Sequence, residues 1–196
     1  MAGKLKSNLK VQNIVATASL GKPVSLTKLA RMHPGNTEYN PEQFPGLVLR
    51  VKKPKSAVLV FSSGNLVCTG TKSVRQVREV IEQVIKQLAK IGVRITDKPK
   101  ITVQNIVASG SIEVDLNLNL LALELENTEY EPEQFQGLVY KLDNPTTTFL
   151  LFSNGKLVCT GTKNRKQLEE AMRQLNKNIK AVLKKIKNKQ RKRKRK

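Results

Sequence analysis

The chain has 196 residues, 39% of them hydrophobic, enough for one ordinary domain or two small fused ones with a real core, so disorder is not the default. No apolar run approaches the roughly 20 residues of a membrane span, and the polar, Lys-rich stretch Met1–Lys10 lacks the order of a secretion signal, so a soluble intracellular protein is expected. Against 15 Asp and Glu stand 36 Lys and Arg, a formal charge of +21 that points to a polyanionic partner before any motif is read.

In chain order, the first local signal is Asn13–Leu20, a β-branched and apolar run that suits a strand. A short amphipathic segment follows, Leu26–Met32. Next come three short β-rich runs, Leu47–Val51, Ala57–Phe61 and Leu66–Thr71, separated by Lys-Pro and Ser-Gly turn signals; they read as an antiparallel meander. A long helix closes the unit, with Val74, Val77, Ile81, Val84, Leu88 and Ile91 spaced at three and four. The order then recurs as Asn105–Ile112, Leu116–Leu123, Leu138–Leu142, Thr147–Phe152 and Leu157–Thr162, and a second helix carries Leu168, Ala171, Leu175, Ile179, Val182 and Ile186. Residues 36–72 match 127–163 without a gap, with 23 identities in 37 positions, and Val11–Ala16 recurs as Val103–Ala108. The chain is a tandem duplication of a unit of about 90 residues, which predicts two like halves about an internal pseudo-two-fold axis. From Lys184 to Lys196, ten of thirteen residues are basic, a solubilising arm or a nucleic-acid contact; the body keeps 26 basic residues against 15 acidic ones.

A helix on one sheet face leaves the other open. Strand alternation puts Leu66, Cys68 and Gly70 on one face of their strand, the side turned with Ile14 toward the helix, and leaves Asn13, Val15, Val67 and Thr69 on the open side, duplicated as Asn105, Val107, Val158 and Thr160. That face is apolar and nearly uncharged. In a generic β-protein a second layer would bury it, but this chain offers none. Four of the five Phe occupy duplicated positions, Phe44 with Phe61 and Phe135 with Phe152; Phe149 is the exception. Phe44 and Phe135 end turn-like Pro-Glu-Gln-Phe segments, where a ring has little core to join. Symmetric ring pairs at the ends of an open apolar sheet fit wedges. Cys68 and Cys159 make neither a disulfide framework nor a zinc spacing and are expected as reduced thiols.

Gln-Asn-Ile-Val-Ala, Glu-Tyr-x-Pro-Glu-Gln-Phe, Phe-Ser-Ser-Gly and Leu-Val-Cys-Thr-Gly-Thr-Lys each occur twice, with one Ser-to-Asn change. These paired motifs resemble the TATA-box-binding protein family, its archaeal form above all, over about residues 8 to 186. The resemblance implies an α+β fold, a pseudo-two-fold saddle of two tandem repeats (8–97 and 98–187) followed by a basic disordered tail (188–196). The saddle is a curved ten-stranded antiparallel sheet with four helices on its convex face. It further implies a general transcription initiation factor, without enzymatic activity or cofactor, that binds the minor groove of double-stranded TATA-box DNA. Phe44, Phe61, Phe135 and Phe152 would wedge into base steps. Asn13 and Asn105 would donate to groove acceptors beside Thr69 and Thr160, while Val15, Leu59, Val67, Val107, Leu150 and Val158 would line the groove floor. Arg50, Lys55, Lys72, Lys141, Lys156 and Lys163 would meet phosphates. Glu131, Glu133 and Gln134 would dock transcription factor B, and through it RNA polymerase. A homodimer is possible off DNA. The implied location is the archaeal cytoplasm, at the nucleoid, or the nucleus in a eukaryote.

Three departures stand out. Gln136 replaces the Pro usual after the second loop Phe, Asn65 stands where the family often has Lys, and the tail is basic where archaeal relatives commonly end acidic. Deleting Lys184–Lys196 is expected to reduce the salt dependence of binding. An enzyme finds little material here, with His33 as the sole histidine and no phosphate-binding Gly loop. A single-strand or RNA-binding sheet is the stronger competitor, but such platforms favour mid-strand aromatics. A structural scaffold would leave the charge unexplained.

Overall fold

The computed structural model describes residues 7–193. Its first half runs β1 (Ser7–Ser19), α1 (Leu26–Met32), β2 (Thr37–Glu38), β3 (Gly46–Val51), β4 (Ser56–Phe61), β5 (Asn65–Thr71) and α2 (Val74–Lys90). The second runs β6 (Ile101–Ile112), α3 (Leu118–Glu124), β7 (Thr128–Glu129), β8 (Leu138–Asp143), β9 (Thr146–Leu151), β10 (Lys156–Thr162) and α4 (Arg165–Arg193). The ten strands of the described residues join in the order β2-β3-β4-β5-β1-β6-β10-β9-β8-β7. An α+β duplication with ten strands and four helices is therefore what the described residues form. Among the described residues the compact units are Val11–Ile106 and, together, the residues up to Lys10 with those from Val107. The division falls inside the long strands β1 and β6, whereas the sequence repeats divide near residue 97.

Alternation builds the first unit. Along β4, Ser56, Val58 and Val60 are buried while Ala57, Leu59 and Phe61 are half-buried, and along β5 the buried set is Leu66, Cys68 and Thr71. Against Leu47, Leu49, Val58, Val60, Leu66 and Cys68 the helix α2 lays Val77, Val80, Ile81, Val84 and Leu88. Each such side chain contributes about 1.5–3 kcal/mol on burial. Val74, expected in this stripe, is 40% exposed because it opens the first turn, beyond the edge of the core. The second unit repeats the scheme: Leu168, Ala171, Met172, Leu175, Ile179 and Val182 of α4 pack over Leu138, Tyr140, Phe149, Leu151, Leu157 and Cys159. The unpaired Phe149 is a core ring, fully buried.

Both long helices start on a reciprocal cap. Ser73 Oγ accepts from the Gln76 amide and Gln76 Oε1 accepts from the Lys72 amide; Asn164 Oδ1, Gln167 and Lys163 repeat the exchange. At the β4–β5 and β9–β10 turns, Gly64 and Gly155 hold φ of +85° and +75°, and a Cβ there would stand 2.0 Å from Lys22 O and 2.2 Å from Ile112 O. Only glycine fits both demands. Helix α4 continues to Arg193, so residues 188–193 are helical where an unstructured arm was expected; the last three residues of that arm lie outside the described residues. Lys, Arg and Gln are good helix formers, and no Gly or Pro interrupts them. Both cysteines are free and buried. Desolvation pushes the Cys68 thiol up to about 11 and that of Cys159 up to about 12, which keeps both protonated at neutral pH.

Candidate nucleic-acid interface

The face opposite the helices carries the residues the alternation assigned to it. In the unit Val11–Ile106, Asn13, Val15, Leu59, Val67, Thr69 and Asn105 are all half-buried. In the other unit Val107, Leu150, Val158 and Thr160 are likewise half-buried. Val15, Leu59 and Val67 neither belong to the first core nor pack against it, and Val107, Leu150 and Val158 stand outside the second in the same way. Their partial burial comes from lying side by side. Antiparallel register sets Leu59 opposite both Val48 and Val67, and Leu150 opposite both Val139 and Val158. Each unit thus carries a three-strand apolar row with no charge in it. Val48 and Val139 complete these rows; alternation along β3 and β8 was the signal that identifies them.

One polar group on this face is locked in orientation. A bulge in β1 between Ile14 and Ala16 brings Asn13 over the end of β5. Its Oδ1 accepts the Gly70 amide at 2.7 Å, and its Nδ2 donates to Thr69 Oγ1 at 3.1 Å. A backbone N–H can only donate, so the oxygen must face Gly70, and the bond to Thr69 uses one of the two Nδ2 hydrogens.

The four rings form two pairs, one per unit. Phe44 and Phe61 meet edge to face with centroids 5.9 Å apart and planes at 65°; Phe135 and Phe152 repeat this at 5.9 Å and 72°. Neither pair joins a core, and Phe44 and Phe135 are 41% and 44% exposed. The turn beneath each loop ring is fixed by its backbone: the Phe44 amide donates to Asn40 O at 3.0 Å and the Phe135 amide to Glu131 O at 2.9 Å. Gly46 and Gly137 hold the pairs together. A Cβ at either glycine would stand 2.6 Å from Cε1 of the loop ring and 3.1 Å from Cε1 of the strand ring. The duplicated Phe-x-Gly spacing is the signal that could have found them. Exchanging Gly46 and Gly137 for alanine is expected to splay both ring pairs while shifting the melting temperature by only a few degrees, because the loop ring is free to swing outward. Near-ultraviolet circular dichroism together with a thermal melt checks this.

The cations divide by position. Arg50 and Lys55 line one hollow with Asn13, Ala57 and Thr69, and Lys156 lines another with Phe152, Val158 and Lys10. Lys72 and Lys163 sit at the strand-to-helix corners, and the hollow that Lys163 lines holds Asp143, Lys166 and Glu170 but none of the apolar row. Arg50 hydrogen-bonds Glu38, and that bond, then the charge behind it, holds the Glu38 carboxyl below its usual range and the Arg50 guanidinium above its own. Glu131, Glu133 and Gln134 are exposed on the turn that carries Phe135. His33 caps the C-terminus of α1, and its carbonyl accepts from Thr37 Oγ1 at 2.7 Å. Among the described residues no group of three or more His, Cys, Asp or Glu could hold a metal, and no helix is long and apolar enough to cross a membrane.

The family model described as "Transcription factor TFIID (or TATA-binding protein, TBP)" matches residues 8–91 and 100–182. The chain is 48% identical over 176 residues to the TATA-box-binding protein of Archaeoglobus fulgidus, spanning 89% of this chain and 96% of that one. It is 51% identical over 158 residues to that of Methanobrevibacter smithii, spanning 81% and 87%. Among solved structures, Methanococcus jannaschii TBP superposes with a TM-score of 0.84 at 41% identity, covering 89% of this chain and 99% of that one.

Proposed function

Because the chain belongs to the TATA-box-binding protein family, we propose that it is a general transcription initiation factor that binds TATA-type duplex DNA in the minor groove, kinks it with Phe44, Phe61, Phe135 and Phe152, and recruits transcription factor B and thereby RNA polymerase. The observation that carries this is the pair of edge-to-face rings in each unit, outside the cores and at the margin of an uncharged apolar row. Inserting a ring unstacks a base step at a cost of a few kcal/mol, which is offset by the protein surface that bent DNA can then cover. The row selects sequence by shape. A·T and T·A present only acceptors in the minor groove, whereas the guanine N2 amine would collide with Val and Leu methyls. Asn13 and Asn105 supply donors to those acceptors. Arg50, Lys55, Lys72, Lys141, Lys156 and Lys163 add phosphate attraction that falls with salt. Glu131, Glu133 and Gln134 present an acidic docking edge for transcription factor B on an otherwise basic protein. Off DNA, the uncovered apolar face favours a homodimer, which sedimentation of the free protein reads.

The test is a competition in which a short A·T-rich duplex carrying a fluorophore is displaced by a G·C-rich duplex or by a single strand. The A·T-rich duplex is expected to win by orders of magnitude; preference for the single strand overturns the reading. A second measurement isolates the tail. Leu183 and Ile186 pack on the second core, so the informative cut falls after Lys187 rather than at Lys184. Loss of 188–196 is expected to leave A·T preference unchanged and to flatten the salt dependence of binding to both duplexes, as each phosphate contact contributes about 0.9 to the slope of log K against log salt. An unchanged slope removes the tail from the interface.

A further inference from the structure

Two carboxylates with no role so far stand at the outer strands of the open face. Glu38 in β2 accepts from Arg50 Nε at 2.8 Å, and Glu129, at the duplicate place in β7, accepts from Lys141 Nζ. Register fixes where they point. Glu38 lies opposite Val48 and Glu129 opposite Val139, and each cation follows two residues along its strand, so acid and base project to the side of the open-face valines. All four side chains are more than half exposed, at 61% and 63% for the first pair and 52% and 66% for the second. Arg50 and Lys141 are also two of the six cations assigned to phosphate. In the free protein each already holds an anion.

We propose that Glu38 and Glu129 are positioning residues that stand in for phosphate at Arg50 and Lys141, and so reduce the salt-dependent, sequence-independent share of DNA binding. This rests on the DNA-binding reading above. The mechanism is an exchange of partners. When phosphate takes Arg50, the DNA gives up a counterion, but the released Glu38 recruits a cation from solution, and the two nearly cancel. A cation with no carboxylate partner frees the counterion of the phosphate it meets without that return and adds about 0.9 to the slope. Exposed pairs of this kind are weak, so the exchange proceeds readily. While paired, each acid also holds its flexible cation over the face, in the direction from which phosphate arrives.

The molecule supplies its own control. Arg75–Glu79 on α2 and Arg165–Glu169 on α4 are likewise duplicated exposed ion pairs, but they are i,i+4 pairs on the helices, away from the open face. Glu38→Gln with Glu129→Gln and Glu79→Gln with Glu169→Gln therefore change net charge equally. Binding of the A·T-rich duplex is measured by fluorescence anisotropy from about 0.05 to 0.3 M potassium chloride, the range in which such slopes are resolved. The face variant is expected to steepen the slope by about 1 to 2 and to bind on the order of tenfold tighter at the lowest salt, while the helix variant keeps the parent slope. Adding Arg50→Gln and Lys141→Gln to the face variant returns the slope toward the parent value. The proposal is overturned if the face and helix variants give the same slope, or if the added substitutions leave the steeper slope in place. A parent protein that shows no A·T preference sinks the functional reading, and this inference with it. Glutamine is close to isosteric with glutamate at these exposed sites, and equal melting temperatures certify the fold.

Discussion

Changing Phe44, Phe61, Phe135 and Phe152 together to alanine is expected to abolish bending of an A·T-rich duplex while leaving the protein folded and still attracted to DNA at low salt. The rings lie outside both cores, and two of them are more than 40% exposed, so their loss removes little of the burial that holds each unit together. An edge-to-face pair is worth about 0.5–1.5 kcal/mol, and losing two such pairs is expected to lower the melting temperature by several degrees. Binding responds differently. Without a ring to fill the opened step, unstacking is left uncompensated at both ends, and the affinity for the bent complex is expected to fall at least 100-fold, about 2.8 kcal/mol. Phosphate attraction through the exposed lysines persists, because it depends on charge rather than on wedges. Energy transfer between dyes at the two duplex ends separates the effects. The variant should retain salt-sensitive association with an unbent duplex, and the half-variant lacking only Phe44 and Phe61 should retain one kink. Full bending by the quadruple variant excludes the wedge mechanism.

Duplication is what made so much of this molecule legible in its sequence. Every strand and helix longer than two residues announced itself twice, and alternation in β4, and in β5 as far as Thr69, sorted Leu59, Val67 and Thr69 from Val58, Leu66 and Cys68 without any tertiary information; it failed at the end of β5, where Gly70 is exposed instead of lying with Cys68 and Thr71 is buried in its place. What escaped lacked a local period. Strands β2 and β7 are two residues long and exist only because Thr37 pairs with Leu49 and Thr128 with Tyr140. The acid-to-base contacts made from these strands span twelve residues diagonally between strands, a relation no local spacing rule contains. Helix α3 begins at Leu118 rather than Leu116 because Asn117 Oδ1 accepts the Leu120 amide and caps it there, leaving Leu116 buried ahead of the first turn. Gly46 and Gly137 are invisible to any pattern of polarity, since their role is to have no side chain beneath a ring. In α4 two rules opposed each other: a run of like charges argues against order, while the helix propensity of Lys, Arg and Gln argues for it, and propensity carried the helix to Arg193.

Asn13→Asp is expected to weaken binding of the A·T-rich duplex far more than Asn13→Ala, although aspartate is the closer mimic of the native side chain. In the fold, both carboxylate oxygens find donors. One takes the Gly70 amide that Oδ1 now accepts at 2.7 Å, and the other accepts from the Thr69 hydroxyl once that group turns. The bulge in β1 is therefore kept, and the melting temperature should stay close to the parent value. Toward the groove the change is severe. The Nδ2 donor disappears, and in its place a charged acceptor meets adenine N3 and thymine O2, themselves acceptors, in the most negative part of the duplex surface. An unpaired charge enclosed in such a contact costs about 3–5 kcal/mol, against about 1 kcal/mol for a hydrogen bond simply lost in Asn13→Ala. The expected order of affinity is Asn, then Ala about fivefold weaker, then Asp at least 100-fold weaker than Asn. Competition titration with the A·T-rich duplex measures all three. Equal affinities for the Ala and Asp variants would place the position 13 side chain outside the groove, because no carboxylate sits among those acceptors without cost.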